Sequence, residues 1–206
     1  MIDILHFDPG NRSVRVQVGL TNLALQKFLG NKGFFWPPDP SSAEFCTVGG
    51  NLACNAAGPR AVKYGTTRDN TLQLKLVTGD GKTIVTGSKT SKGVVGLDLT
   101  RLVIGSEGTL GIITEAELKI QPLSPLKNTL RVLFASHHDA CDAIQRLLSQ
   151  PDLPCALEFM DHHATELIKT HGDVDLASNA KAMLMIEIDG NEKSCLLYTS
   201  PSPRDS

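Results

Sequence analysis

The stretch TVGGNLACNAAG, residues Thr47 to Gly58, decides how this sequence folds, because ten of its twelve side chains are Gly, Ala, Thr, Cys or Asn. So little side-chain volume indicates a backbone that comes close to a ligand or to another segment of the chain. The pair Gly49-Gly50 precedes a predicted short helix over residues 52–56, whose first amide groups would suit a phosphate anion. The competing interpretation is a tight turn packed against a neighbouring strand, which we favour for an isolated glycine pair.

A second glycine-rich stretch, GSEGTLGIIT, occupies residues 105–114. Alone it is typical of a bulge before a strand. The proline-rich loop FFWPPDPSS (34–42) and the β-structure between the two stretches change this interpretation. Together they indicate a backbone-lined groove for a large phosphorylated cofactor. No GxxxxGK[ST] is present and no GxGxxG lies between a strand and a helix, which disfavours a kinase and a nicotinamide-binding Rossmann domain.

Hydrophobic periodicity divides the chain into two parts. Alternating apolar residues predict hairpins within residues 1–20 and 71–86, a helix capped by Thr21, and a strand over 112–120. Beyond Pro122 the pattern becomes strand–helix–strand–helix–strand, which predicts an α+β sandwich of the ferredoxin-like kind that is incomplete at its carboxyl end. The predicted domains are residues 1–122 and 123–194, followed by a flexible tail, 195–206, that also resembles translated adapter sequence.

Composition excludes several classes of protein. With 41% hydrophobic and 20% charged residues over 206 positions, extensive disorder is not expected. The net charge of −2 gives no reason to expect nucleic acid or an anionic membrane surface as the main partner. No apolar run approaches the ~18 residues of a spanning helix, so the predicted location is cytoplasmic. The five cysteines have no short paired spacing, which argues against a zinc or iron–sulfur site.

Two histidine pairs and one carboxylate are further candidates for functional residues. His162-His163 beside Asp161 suggests a metal site, but adjacent helical residues point in different directions, so a solvated helix surface is favoured. The same holds for the pair at 137–138. Glu158 lies within a predicted strand, where a carboxylate could orient a substrate. A structural role, in packing or in a salt bridge, is favoured over that role.

Four segments carry a resemblance to a known family. They are PPDPSS (37–42), TVGGNLACNAAGPRAVKYGTTRDN (47–70), LTRLVIGSEGTLGIITEAELKIQPL (99–123) and LEFMD (157–161). Between about Val14 and Gly190 the chain closely resembles the FAD-linked oxidases, which include the glycolate oxidase flavoprotein subunit, D-lactate dehydrogenase and D-2-hydroxyglutarate dehydrogenase. The resemblance implies an α+β fold: a partial PCMH-type (vanillyl-alcohol-oxidase-like) FAD-binding domain, then an incomplete ferredoxin-like cap domain, as a central fragment of a longer enzyme.

The resemblance also implies which residues hold the cofactor. Those lining the flavin would be Pro38, Asp39, Ser41 and Ser42. Those bringing backbone amides to the isoalloxazine edge and the pyrophosphate would be Thr47, Gly49, Gly50 and Asn51. Those continuing the same wall would be Asn55, Gly58, Tyr64 and Gly65, and those on the adenosine side would be Glu107, Gly108, Gly111, Ile112 and Ile113. The FAD would be non-covalent, since no histidine lies within residues 47–65.

The function implied is oxidation of a D-2-hydroxy acid (D-lactate, glycolate or D-2-hydroxyglutarate) to its 2-oxo acid, with hydride transfer to flavin N5. Electrons would pass to a quinone, a cytochrome or an iron–sulfur partner subunit, and the location would be cytoplasmic, peripheral to the inner membrane. The family's upstream glycine-rich loop and its HxGDGNxH segment, which binds a divalent metal, have no counterpart in this sequence. The catalytic residues are therefore expected outside it, and the isolated chain is expected to be inactive. The alternatives are another flavin oxidase, such as an alditol oxidase, and a non-catalytic module.

Overall fold

The computed structural model describes residues 1–90, 92–172, 177 and 179–190. The chain forms two compact units, the first from Met1 to Leu123 and the second beginning at Ser124. The predicted tail, 195–206, lies outside the described residues. The elements of the first unit are β1 (Ile4–Asp8), β2 (Ser13–Gln17), α1 (Asn22–Gly30), β3 (Phe34–Phe35), α2 (Val48–Cys54), α3 (Ala61–Tyr64), β4 (Thr71–Val77), β5 (Thr83–Gly87), α4 (Leu99–Val103), β6 (Ile112–Lys119) and β7 (Gln121–Pro122). Those of the second are β8 (Leu126–Phe134), α5 (His137–Leu148), β9 (Ala156–Met160), α6 (His162–His171) and β10 (Ala182–Gly190).

The first unit is built on a five-stranded sheet in the order β1-β2-β6-β4-β5, with every neighbouring pair antiparallel. Both predicted hairpins, β1–β2 and β4–β5, are confirmed. Period-two alternation sends one set of side chains from the central strands into the core, where α1 and α2 cover them. This set is fully or almost fully buried: Val14, Val16, Leu74, Leu76, Ala116 and Leu118.

Helix α1 follows the prediction from its cap. The Thr21 hydroxyl accepts the Ala24 amide hydrogen at 3.3 Å, and Leu25 and Leu29, four residues apart on one face, are fully buried.

Helix α2 begins four residues before the predicted start at residue 52, so that prediction was wrong. The Thr47 hydroxyl accepts the Gly50 amide hydrogen at 3.0 Å and caps the helix there. The two glycines therefore lie in the first turn of α2 rather than in a loop before it. The helix ends at Asn55, which has a left-handed backbone with φ 48°.

The second unit has a three-stranded antiparallel sheet in the order β8-β10-β9. Strands β8 and β9 are parallel to each other on either side of β10, and α5 connects them. This is the split β-α-β arrangement of ferredoxin-like folds. Leu184, Ile186 and Ile188 of β10 are buried with apolar residues of α5. The predicted α+β fold class is confirmed. In the described part of the chain, no helix has the length and apolar character needed to cross a membrane.

Candidate functional site

The two glycine-rich stretches, more than forty residues apart in sequence, meet at the end of α2. The Gly105 amide donates to the Leu52 carbonyl oxygen at 2.9 Å, and the Glu107 amide donates to the Ala53 carbonyl oxygen at 3.0 Å. The Leu52 carbonyl oxygen also accepts the Asn55 amide hydrogen at 3.3 Å, so the two bonds add partners to carbonyl groups of the last helical turn. They also hold the stretches side by side, as a shared binding surface requires.

Arg68 reinforces this junction, although it was not among the residues predicted to form a site. Its backbone amide donates to Asn55 Oδ1 at 3.0 Å, and its Nη2 donates to the Ile104 carbonyl oxygen at 2.6 Å. A Cβ on Gly105 would lie 3.0 Å from that Nη2. The sequence signal for Arg68 is only the motif TTRDN, because spacing along the chain does not reveal the partners of an arginine.

The second glycine-rich stretch contains an unfavourable backbone conformation. Glu107 has φ 51°, a left-handed value that costs a residue with a Cβ about 1 kcal/mol or more. Four residues later, a Cβ on Gly111 would lie 2.8 Å from the Val77 carbonyl oxygen. Strained backbone of this kind is concentrated at functional sites in proteins.

The isoleucines that follow do not share a face. Ile112 is 63% exposed, whereas Ile113 packs against the hydrophobic core. Successive side chains of a strand point to opposite faces of the sheet. Only one side chain of this predicted pair can therefore line a single cofactor wall.

The amide groups of the first glycine-rich stretch already have acceptors within the chain. Gly49 donates to the Val18 carbonyl oxygen at 2.7 Å, Gly50 donates to the Thr47 hydroxyl, and Asn51 donates to the Thr47 carbonyl oxygen at 3.0 Å. The expectation that these amides point to a pyrophosphate has to be corrected for this structure. The reason is the early start of α2, which uses the amides for helix capping and strand contact.

The packing interpretation of the glycine pair holds for Gly49. A Cβ on Gly49 would lie 3.1 Å from three atoms of Val18, so this glycine permits close packing against the strand end. Around Gly50 the nearest atom to such a Cβ is the Thr47 hydroxyl at 3.4 Å, and the residue is exposed. Gly50 therefore leaves an open surface beside α2.

The proline-rich loop meets the end of the first stretch. A Cβ on Gly58 would lie 2.2 Å from Asp39 Oδ1 and 2.4 Å from the Asp39 carbonyl oxygen. The Arg60 amide donates to Asp39 Oδ1 at 3.3 Å, and Arg60 Nε lies 3.4 Å from Asp39 Oδ2. The rings of Phe35 and Tyr64 pack edge to face at 5.3 Å. The structure thus places three predicted residues, Asp39, Gly58 and Tyr64, in one connected group.

The other predicted residues lie around this group. Pro38 is buried, and Ser41 and Ser42 are exposed in a turn before Thr47. Gly65 ends α3 with φ 77°, where a Cβ would lie 2.7 Å from Asp69 Oδ2. Gly108 has φ 80° and open space where a Cβ would lie, so its requirement for glycine is conformational.

A polar cavity of about 290 Å³ lies beside Arg68 and includes none of the predicted cofactor residues. Within its lining, Arg101 Nη2 contacts Asp69 Oδ1 at 2.5 Å. The Thr66 amide donates a hydrogen bond to the Asp69 carboxylate, which, with Arg101, lowers the pKa of Asp69 below its ordinary value of 3.8. Asp69 is therefore ionised at neutral pH.

The histidine pairs lie on exposed helix surface, as predicted. His138 Nδ1 is 3.3 Å from Asp142 Oδ2, and His162 Nδ1 is 4.0 Å from Glu166 Oε1. Over the described residues, no group of three or more His, Cys, Asp or Glu side chains could hold a metal ion. Glu158 is exposed in β9 opposite Met185, and the described part of the chain offers it no ion-pair partner, so the favoured salt bridge is not seen.

Comparison with known proteins identifies the family. Residues 1–87 match the family model described as "FAD binding domain", and residues 124–196 match "FAD linked oxidases, C-terminal domain". The chain belongs to the FAD-linked oxidase family. The family resemblance predicted from the four motifs is confirmed.

Three relatives of the chain have the names of different enzymes. The chain is 42% identical over 190 residues to glycolate oxidase subunit GlcD of Bacillus subtilis (strain 168), covering 92% of this chain and 40% of the relative. It is 36% identical over 191 residues to D-lactate dehydrogenase of Archaeoglobus fulgidus, covering 92% and 43%. It is 34% identical over 168 residues to D-2-hydroxyglutarate dehydrogenase of Xanthomonas citri pv. viticola, covering 82% and 35%. The chain thus spans about 40% of the length of the relatives it matches.

A solved structure of an alkyldihydroxyacetonephosphate synthase superposes with a TM-score of 0.80 at 26% identity. The match covers 97% of this chain and 39% of that one. This similarity supports the mixed α+β fold with partial FAD-binding and C-terminal oxidase domains.

Buried polar atoms without partners bear on how FAD would fit the first unit. Asn51 Nδ2, Asn22 Oδ1 and Arg68 Nε are buried and form no hydrogen bond among the described residues. Asn51 lies in α2, Asn22 donates to the Pro38 carbonyl oxygen, and Arg68 contacts the residue before Gly105. A buried polar atom left without a partner costs about 1–3 kcal/mol. The unpaired donors of Asn51 and Arg68 suit the hydroxyl and phosphate groups of a large cofactor, whereas Asn22 contacts the loop at Pro38.

Proposed function

We propose that this chain supplies one wall of the FAD site in an enzyme that oxidises a D-2-hydroxy acid to the 2-oxo acid. The junction between the two glycine-rich stretches, made by the Gly105 and Glu107 amides, is the observation that carries the proposal. Three matched relatives bear the names glycolate oxidase subunit, D-lactate dehydrogenase and D-2-hydroxyglutarate dehydrogenase, which all denote 2-hydroxy acid substrates.

Within this proposal, FAD supplies the acceptor for the hydride that leaves the substrate α-carbon. The chain's own residues bind and orient the cofactor. Asp39, Gly58 and Tyr64 form one fixed group, and Asn55, Glu107 and Gly108 surround the junction at the end of α2. Gly50 supplies open surface rather than a free amide. The binding is non-covalent, in keeping with the absence of histidine from residues 47–65.

FAD binding by the 206-residue chain is the first test. Trp36 is its single tryptophan, lies in the first unit and is fully buried. Tryptophan emission overlaps flavin absorption, so bound FAD will quench Trp36 and raise the anisotropy of flavin fluorescence. A Gly105→Val variant is the probe, because its side chain would separate the two stretches at Arg68 and Asn55. Gly79→Val is the control for an added side chain alone, since no atom lies within 4 Å of its Cβ, whereas Gly105 also has a left-handed backbone with φ 85°.

We expect wild type and the Gly79 variant to bind FAD and the Gly105 variant to lose at least tenfold in affinity. Equal FAD affinity in all three proteins, or no binding by wild type, would refute the proposed site.

Testing the substrate class requires a protein as long as the relatives. In that longer protein, D-lactate, glycolate and D-2-hydroxyglutarate are each mixed with oxidised enzyme in a stopped-flow instrument, and flavin absorbance is followed. We expect bleaching by one of the three acids. Failure of all three to bleach a flavin-loaded enzyme would reject the proposed substrate class while leaving FAD binding intact.

A second candidate is a different flavin reaction on the same fold. The similarity to an alkyldihydroxyacetonephosphate synthase, with a TM-score of 0.80, favours this alternative, because one fold hosts several chemistries. The stopped-flow experiment separates the two when an alditol joins the panel.

We further propose an electron-accepting partner for the longer protein. The relative from Bacillus subtilis is named a subunit, and one from Arabidopsis thaliana, 40% identical over 150 residues, is named D-lactate dehydrogenase [cytochrome], mitochondrial. An iron–sulfur subunit, a cytochrome or a quinone is the proposed acceptor, with the enzyme cytoplasmic and peripheral to the inner membrane. Reduction of cytochrome c, a quinone analogue or an iron–sulfur protein by substrate-reduced enzyme tests this, and oxidation of the enzyme by none of the three would contradict it.

A further inference from the structure

We infer that Gln26 and Asn22 of α1 are positioning residues for FAD, because they hold the loop Trp36–Asp39 in place. The inference rests on the proposed function, in which Pro38 and Asp39 line the flavin. Neither α1 residue belongs to the predicted cofactor set, and each acts through the loop rather than by touching the cofactor.

The loop cannot be held by ordinary strand pairing. Residues 37, 38 and 40 are prolines, which carry no amide hydrogen. Among these positions only carbonyl oxygens are left as backbone hydrogen-bonding groups, so a donor must come from elsewhere. The donors to the Pro38 carbonyl oxygen come from side chains of α1, whereas the Pro40 carbonyl oxygen accepts the Ala43 amide hydrogen at 3.0 Å.

Gln26 replaces a strand partner through both ends of its carboxamide. Its Nε2 donates to the Trp36 carbonyl oxygen at 2.6 Å, and its Oε1 accepts the Trp36 amide hydrogen at 3.2 Å. The same Nε2 lies 3.5 Å from the Pro38 carbonyl oxygen. A carboxamide is the side-chain group that offers one donor and one acceptor in the geometry of a peptide bond. Glutamate and methionine, of similar size, cannot do the same.

Asn22 completes the hold from one turn earlier in α1. It is fully buried, and its Nδ2 donates to the Pro38 carbonyl oxygen at 3.1 Å. Its backbone amide donates to the Cys46 carbonyl oxygen at 2.9 Å, which ties α1 to the start of the first glycine-rich stretch. Asn22 therefore fixes Pro38 relative to the chain that leads into α2.

The far end of the loop is fixed independently. Asp39 packs against Gly58 and pairs with Arg60, while Trp36 Nε1 donates to the Asn70 carbonyl oxygen at 3.1 Å. Losing the α1 contacts would leave Asp39 and the Trp36 indole attached and would loosen the backbone between them. The expected result is a displaced Pro38 in a folded protein rather than an unfolded one.

The experiment compares Gln26→Met, Gln26→Glu and Asn22→Leu with wild type in the 206-residue chain. Lys27→Met is the matched control, because Lys27 is the exposed neighbour on the same helix. Acrylamide quenching and the emission maximum of Trp36 measure how well the loop is held in the absence of FAD. Flavin anisotropy measures the affinity for FAD. Urea unfolding followed by far-ultraviolet circular dichroism identifies which variants are folded.

We expect the Gln26 variants to expose Trp36 to acrylamide and to weaken FAD binding about tenfold, which corresponds to about 1.4 kcal/mol. Gln26→Glu keeps the acceptor for the Trp36 amide, so it should remain folded even if Gln26→Met does not. The control should stay within twofold of wild type in both measurements.

Unchanged Trp36 quenching in a folded Gln26 variant would overturn the inference, and so would altered quenching with unchanged FAD affinity. Wild type that binds no FAD would overturn the proposed function together with the cofactor role of α1. Trp36 quenching would still report, in that case, whether α1 holds the loop, so the two failures are distinguishable.

Discussion

Replacing Gly58 by alanine tests the contact that joins the proline-rich loop to the first glycine-rich stretch. The new Cβ would lie 2.2 Å from Asp39 Oδ1, 2.4 Å from the Asp39 carbonyl oxygen and 2.6 Å from its carbonyl carbon. Real Cβ contacts shorter than 3.0 Å essentially never occur, so the two segments must separate by roughly 0.8 Å. Two of the three contacts are with backbone atoms, and a change of side-chain rotamer therefore cannot relieve them.

The energetic consequence follows from this geometry. Overpacking of this kind costs about 1–3 kcal/mol. Separation also weakens the pairing of Arg60 with Asp39, whose partial exposure limits that loss to about 0.2–1 kcal/mol. We expect Gly58→Ala to lower the free energy of unfolding of the first unit by about 1–4 kcal/mol and to weaken FAD binding.

The assay is urea unfolding followed by emission of Trp36, the single tryptophan, which lies in the first unit. Gly30→Ala is the control, because it is the last residue of α1 and has no atom within 4 Å of a Cβ. The control should be unchanged or more stable by about 0.5–1 kcal/mol. A Gly58 variant as stable as wild type would show that Asp39 and Gly58 are not packed as the structure has them.

Three further results are expected. Thr47→Ala should destabilise the first unit by about 1 kcal/mol through loss of the cap on the Gly50 amide, and Thr47→Ser should restore it, by the same urea assay; equal stability of both variants would contradict the cap. The lowered pKa of Asp69 means that its ionised form stabilises the folded state above its ordinary pKa of 3.8, and that this contribution is lost as the pH falls through the folded-state pKa. Asp69→Asn should therefore be less stable than wild type at pH 7, with a gap that narrows near pH 3, and a gap independent of pH would refute this. Leu184→Ala, which empties a fully buried position in β10, should cost about 2–5 kcal/mol by calorimetry, against a smaller effect for exposed Leu167→Ala.

Local patterns in the sequence predicted most of the secondary structure. The turn cluster after Ile4–Asp8, the cap at Thr21 and the alternation over Thr71–Val77 each act over a few residues, where the physical chemistry of capping and pleating is decisive. The start of α2 was missed because two glycines are poor helix formers. Their helical conformation is stabilised by the Thr47 cap and by packing on Val18, which are not visible in local propensity.

The candidate site was predictable only in part. The motifs predicted which residues would line a cofactor site, and the structure joins the two stretches that contain many of them through the Leu52 and Ala53 carbonyl oxygens. Residue spacing in the sequence did not reveal that Gly49 and Gly50 have different roles. It also did not reveal the contributions of Gln26 and Arg68. Each depends on partners distant in sequence.

The sequence by itself determined the two-part α+β organisation and the family. The reason is that the spacing of hydrophobic residues and the glycine-rich motifs are local properties, which can be recognised in the sequence alone. Only the tertiary structure decided which backbone amides are already engaged, which glycines are required by packing, and which side chains of α1 hold the proline-rich loop. The physical reason is that a hydrogen bond or a close contact is set by distance and direction in space. The chain brings together atoms whose residues lie 10 to 54 positions apart in sequence, and no local pattern specifies those pairs.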